Sequence, residues 1–344
     1  MAYISFQPSD YFNTKLYTGN GSTNAITGVG FQPDWLWLKD RSAGGGHILV
    51  DAVRGNNKSL SSQDTNAEVT RTDIVTAFNS DGFTLGADSG NFVNVSGNNG
   101  VGWNWLANGQ GSSNTDGSIT STVSANTTAG FSIVSYTGTA SNATVGHGLG
   151  VKPAMMIAKN LDNGSEDWCV YHKSLGYNNV VKLNNNSASL STTTRWNAEP
   201  DTSVFNVGTV AETNGSSANQ IAYIFAEKKG FSKFGSYTGN GSTDGTFVYT
   251  GMSPAFIMVK RTNAIEGWYM YDVKRDTFNV SDAYLFANAS SAEATLTNGL
   301  DILSNGFKMR NTDTGHNASG STYTYMALAE EPLVSSNGVP AVAR

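Results

Sequence analysis

Two short clusters set a guanidinium three residues after a carboxylate: Asp51-Ala52-Val53-Arg54 and Asp272-Val273-Lys274-Arg275. Such a pair can grip a polar ligand, or it can brace a loop through bidentate hydrogen bonds. A related third segment carries His172 and Leu175 at the matching places, a swap that suits a brace better than a ligand site. Glu227 and Glu330 close two related segments, but the matching stretch elsewhere ends in Ala107. A glycosidase needs two carboxyls about 5–9.5 Å apart across one bond, which residues from separate units rarely meet. An enzyme is the least favoured reading, and no catalytic residue is assigned. The histidines, His47, His147, His172 and His316, show no zinc-like spacing. His147, between glycines, offers an exposed position, but a plain turn residue is the better reading. Asp162-Asn163-Gly164-Ser165-Glu166-Asp167 clusters oxygens without the EF-hand register; it reads as a turn, with calcium as the alternative, and no other cofactor or metal is expected. The lone Cys169 lies in an apolar run and reads as a buried, inert thiol. Trp196, in Thr194-Arg195-Trp196-Asn197, stands outside every recurring segment and is the expected exposed contact residue.

The elements that must position these residues occur three times. Tyr17-Thr18-Gly19, Tyr136-Thr137-Gly138 and Tyr237-Thr238-Gly239 each open a segment with the same landmarks downstream. Pro33, Pro153 and Pro254 are each followed six residues later by a lysine: Lys39, Lys159 and Lys260. The intervening residues are apolar on both alternating faces, which suits a central strand buried between two layers. The lysines end these strands and read as snorkelling side chains with packed stems. The unit exceeds a solenoid rung and is long enough for a small domain.

Composition agrees with strands and extracellular work. Charged residues make up only 14%, against a usual quarter. Gly reaches 38 and Pro only 7, so turns are built on Gly and Asn, as in tight hairpins. A net charge of −6 without a basic cluster argues against nucleic acid and anionic membranes. No apolar run approaches the roughly 20 residues of a membrane helix, so no membrane insertion is expected. Met1-Ala2-Tyr3-Ile4-Ser5-Phe6 lacks signal-peptide features. The expected route is synthesis in a cytoplasm, then delivery outside by assembly.

The expected fold is all-β: three tandem β-sandwich repeats, jelly-roll or lectin-like. The expected boundaries are an N-terminal segment (1–10), repeat one (11–108), a linker or exposed hairpin (109–129), repeat two (130–228), repeat three (229–333) and a tail (334–344).

The opening Phe6-Gln7-Pro8-Ser9-Asp10-Tyr11-Phe12, the internal Gly230-Phe231-Ser232 and Ser304-Asn305-Gly306-Phe307-Lys308, and the close Tyr325-Met326-Ala327-Leu328-Ala329-Glu330 resemble virion proteins of marine tailed phages. The final Pro332–Arg344 stretch is similar to the tails of those proteins. The resemblance spans essentially the whole chain and implies a complete virion protein with lectin-like β-domains. It implies a non-enzymatic tail-fibre or accessory tail protein that attaches to host-surface glycan, with other virion proteins as partners. Capsid decoration or a head fibre is the alternative, and a polysaccharide-degrading enzyme the third reading. Fibres of this kind are commonly trimers, so a homo-oligomer is expected; three internal repeats in a monomer would also give a pseudo-threefold shape. The stretch Ser335–Arg344 is the expected partner contact.

Overall fold

The computed structural model describes residues 7–332. The opening Met1–Phe6 and the tail Ser335–Arg344 lie outside the described residues. Among the described residues the chain is all-β, relieved by a 3-10 turn at Pro8–Asp10 and one short helix at Ala211–Asn214. No helix among the described residues is long and apolar enough to cross a membrane.

The same four strands lie side by side in each large sheet. The opening strands are Phe12–Thr18, Phe131–Thr137 and Ser232–Thr238. The lysine strands are Trp35–Asp40, Pro153–Asn160 and Met252–Arg261. The return strands are Ile48–Asp51, Cys169–His172 and Trp268–Asp272. The closing strands are Asn99–Trp105, Asn219–Ala226 and Thr322–Pro332. In each sheet the hydrogen-bonded order is opening, closing, lysine, return, all antiparallel. Residues 109–129 contain a hairpin, Ser112–Asn114 with Ser121–Asn126, which adds to the free edge of the second opening strand.

Alternation explains why the lysine strands are apolar throughout: each face meets a different core. Leu36 and Leu38 point outward, onto a small sheet that supplies Ile26, Val75, Phe83 and Leu85. Met156 and Ala158 meet Val145, Phe205 and Val207 in the second repeat. Ile257 and Val259 meet Val248, Phe307 and Met309 in the third. The alternate residues, Trp35, Trp37, Met155, Ile157, Phe256 and Met258, point inward to one cluster shared by all three repeats.

That shared core makes the three repeats a closed ring. Trp35 of the first repeat stacks on Tyr223 of the second, with ring centroids 4.2 Å apart. Phe225 of the second meets Phe234 of the third at 6.0 Å, and Phe256 of the third meets Phe12 of the first at 5.7 Å. Backbone bonds close the same circuit at one end. Glu68 donates to Leu161, Ser189 to Thr262 and Glu293 back to Arg41. Trp168 Nε1 donates to the Ser61 carbonyl and Trp268 Nε1 to the Lys182 carbonyl.

The repeated lysines do not snorkel, which corrects the sequence expectation. Counted along the strand, each lies on the inward face, and all three are fully buried. Lys159 Nζ donates to the carbonyls of Thr65, Asn160 and Glu166. Lys260 Nζ donates to Asn186 and Glu266, and Lys39 Nζ to Asp40 and Ala43. Burial lowers each ammonium to about 8, which leaves it charged at neutral pH. Two of the three therefore knit one repeat to the next through charge-assisted hydrogen bonds. Lys159→Met keeps the stem but strands three carbonyls. It is expected to destabilise the chain by about 2–4 kcal/mol, read as a lowered melting temperature by circular dichroism.

Candidate functional site

The opening and lysine strands run parallel to one another, because both are antiparallel to the closing strand between them. Their C-terminal ends, and the start of the closing strand, therefore meet at one end of the ring, here called the rim. The opposite end, the base, holds residues 7–11 and the described end of the last closing strand.

At the rim the Tyr-Thr-Gly motif acquires a physical meaning. The hydroxyls of Tyr17, Tyr136 and Tyr237 donate to the carbonyls of Val93, Thr213 and His316. The next residue in each case is a fully buried asparagine: Asn94, Asn214 and Asn317. Asn214 Oδ1 accepts from the Thr139 amide at 2.7 Å, while Nδ2 donates to Ser141 and Gly208 carbonyls, both at 2.6 Å. Asn94 holds the Asn20 amide, the Ser22 carbonyl and the Gly86 carbonyl. Asn317 holds the Asn240 amide and the carbonyls of Ser242 and Asn311. The motif glycine is obligatory, since a Cβ on Gly19, Gly138 or Gly239 would collide with the carbonyl of Val95, Gly215 or Ala318.

Three equivalent loops are thus pinned at the rim. They expose neutral polar side chains, among them Asn20, Ser22, Thr139, Ser141, Asn240 and Thr243. Sequence reading found the tyrosines and glycines but missed the clamping asparagines. The signal was present: Asn94 precedes Asn99, Asn214 precedes Asn219 and Asn317 precedes Thr322, five residues before each closing strand in every case.

The residues singled out from sequence lie elsewhere. Trp196 is fully buried in the second repeat's outer core, 6.3 Å from Phe205, so its expected role as an exposed contact is corrected. Its lack of a counterpart in the other repeats reflects a local filling of that core. Asp51 and Asp272 are buried, with their guanidiniums beside them. Tyr223 of the second repeat donates to Asp51 at 2.8 Å and accepts from Arg54 at 3.1 Å. Trp103 of the first repeat donates to Asp272 at 3.1 Å. Arg54 also reaches Glu68, and Arg275 reaches Glu293. Asp51, Arg54, Asp272 and Arg275 are therefore braces between repeats, and their buried groups present no surface to a ligand. His172 occupies the matching seam between the second and third repeats, with Nε2 3.1 Å from the Tyr325 carbonyl.

His147 is buried, not exposed: its Nδ1 accepts the Leu149 amide while Nε2 faces the Asp201 carbonyl, so the flanking glycines mark a packed turn. In the turn weighed for calcium, Asp162 accepts from Asn219, Glu166 from Asn163, and Asp167 from Lys182 and Asn184, so protein donors take up these carboxylates. No group of three or more metal-ligating side chains occurs among the described residues. Cys169 is buried, and burial raises its thiol well above the ordinary range. Burial pushes Glu227 upward, but Lys173 and Lys233 outweigh it and hold the carboxyl below its usual range. A carboxylate so held is a poor general acid. The side chain of Glu330 lies outside the described residues.

Asn214→Ala removes one acceptor and two donors from a buried site. The expected cost is about 2–4 kcal/mol. Amide hydrogen exchange is expected to rise across residues 139–142 while the central strands stay protected.

No curated protein matches the chain. A family model described as a domain of unknown function, DUF7483, matches residues 7–332. That span takes in all three repeats and the inserted hairpin as one unit, which fits a ring closed around a single core. The chain belongs to the DUF7483 family.

Proposed function

We propose that this protein is a non-enzymatic component of a tailed-phage virion, a tail-fibre or accessory tail protein that attaches to host-surface glycan. The observation that carries the reading is the polarity of the ring. Three equivalent, rigidly clamped loops present Asn, Ser and Thr at the rim, while both ends of the described chain lie at the base. A particle that holds the base leaves the rim facing outward. Each large sheet with the outer strands packed on it fits a β-sandwich of the lectin-like or jelly-roll kind, and neutral hydroxyls and amides suit sugar hydroxyls. Weak single sites gain strength from repetition, first within one chain and then across the copies on the virion.

Immunogold labelling of intact phage places the protein, and tagged protein on host cells tests attachment. Label at the tail tip is expected. The variant Thr23→Lys, Ser141→Lys, Thr243→Lys alters exposed rim positions and is expected to cut cell-bound signal at least about tenfold. Label over the capsid with unchanged cell binding would replace this reading with decoration of the head. Release of reducing ends from host polysaccharide would replace it with an enzyme.

A further inference from the structure

Two of the three seams in the ring close on a histidine, and both border the third repeat. At the seam with the first repeat, His47 Nε2 lies 2.9 Å from the Phe286 carbonyl and 3.2 Å from that of Ala289. Its Nδ1 accepts the indole N–H of Trp37 at 2.8 Å. At the seam with the second repeat, His172 Nε2 donates to the Tyr325 carbonyl and Nδ1 accepts the Ser174 amide at 3.2 Å. Both rings are thereby fixed as the neutral tautomer with the proton on Nε2. A second proton would have to sit on Nδ1, against an N–H that already points at it. The seam between the first and second repeats has no histidine: it closes on Asp51, Arg54 and Tyr223, beside the indole and lysine contacts of Trp168 and Lys159 that Trp268 and Lys260 repeat at the second–third seam.

We infer that the ring is acid-gated: protonation of His47 and His172 frees the third repeat from both neighbours while the first and second remain joined. The surroundings agree. His47 is flanked by Lys39 and Gln63 of its own repeat, and the same seam carries Arg41 and Arg275 on Glu293, with Arg275 also on Asp272. His172 is flanked by Lys173, Glu227 and the Phe234 ring. Burial is the leading cause that lowers His47 to about 3 and His172 to about 4. An exposed imidazole titrates near 6.5, so the opened form binds more protons. Opening is therefore favoured progressively as pH falls from about 6.5 towards 4, and is unassisted above that window. His316 adds to the effect within the third repeat. Both its ring nitrogens are buried without a hydrogen-bond partner, Nδ1 lies 3.6 Å from Asp313, and burial lowers the ring to about 4. His147 lies within the second repeat and spans no seam.

Hydrogen exchange of the full chain at pH 7.5, 5.5 and 4.5, corrected for intrinsic rates, tests the inference. Strands Met252–Arg261, Trp268–Asp272 and Ser281–Phe286 are expected to lose protection roughly tenfold or more before Gly55–Leu60 and Pro153–Asn160. The double variant His47→Gln, His172→Gln keeps an amide donor and acceptor but cannot titrate. It is expected to hold the ring closed to a pH about one unit lower. Uniform loss of protection, earlier opening between the first and second repeats, or an unchanged midpoint in the variant would each overturn the inference. Should the variant fail to fold, histidine proton resonances of the unaltered chain serve instead. Titration of His47 and His172 together with the loss of protection supports gating, and titration near 6.5 in an intact ring overturns it.

Discussion

A sheet that is apolar on both faces needs two covers, and everything in this molecule follows from how the second is found. Outer strands, a separate small sheet in the first two repeats and a continuation of the large sheet in the third, shield Leu36 and Leu38, or their counterparts, from water. The inward residues, led by Trp35, Trp37 and Trp103, are buried in one cluster to which all three repeats contribute. Burial of such aromatic area is the main favourable term in folding. Each repeat therefore supplies the inner cover for the other two, and a linear string of the same units would leave these faces wet. The buried lysines and the seam braces are consequences, since closing the ring traps carbonyls and charges that must then be satisfied.

The braces show how three copies of one segment diverge without breaking the circuit. Asp51 faces the Tyr223 hydroxyl and Asp272 faces the Trp103 indole, so a carboxylate meets a donor in both seams. The position that corresponds to Tyr223 and Trp103 in the third closing strand is Met326, which carries no donor. There the partner is the neighbouring Tyr325 carbonyl, and the residue that meets it is a donor, His172. The exchange of Asp–Arg for His–Leu is thus a change of hydrogen-bond polarity on both sides of one seam.

Much of the fold was legible in the residues. The Pro-to-Lys spacing marked the central strands, and their unbroken hydrophobicity marked two covered faces. Ring closure was not legible, because periodicity within a strand says which faces are buried but not what buries them. The same gap misplaced the lysines: an ammonium beside solvent and one beside three carbonyls look alike in sequence. Trp196 was misread because its solitary place suggested exposure, whereas an irregular core takes whatever large side chain fills it. The rim was half legible. Tyrosine and glycine stood out by repetition, while the asparagines were lost in a chain where asparagine is common and only their distance from the next strand sets them apart.

The hairpin at Ser112–Asn126 has a consequence for assembly. Three similar sectors around one axis would let a threefold socket accept the ring in any of three rotations. Among the described residues the hairpin decorates a single sector, and the edges at Phe12–Thr18 and Ser232–Thr238 carry no such addition. It works as a key on a shaft: a mating surface shaped to receive it would fix the rotational phase of the whole ring.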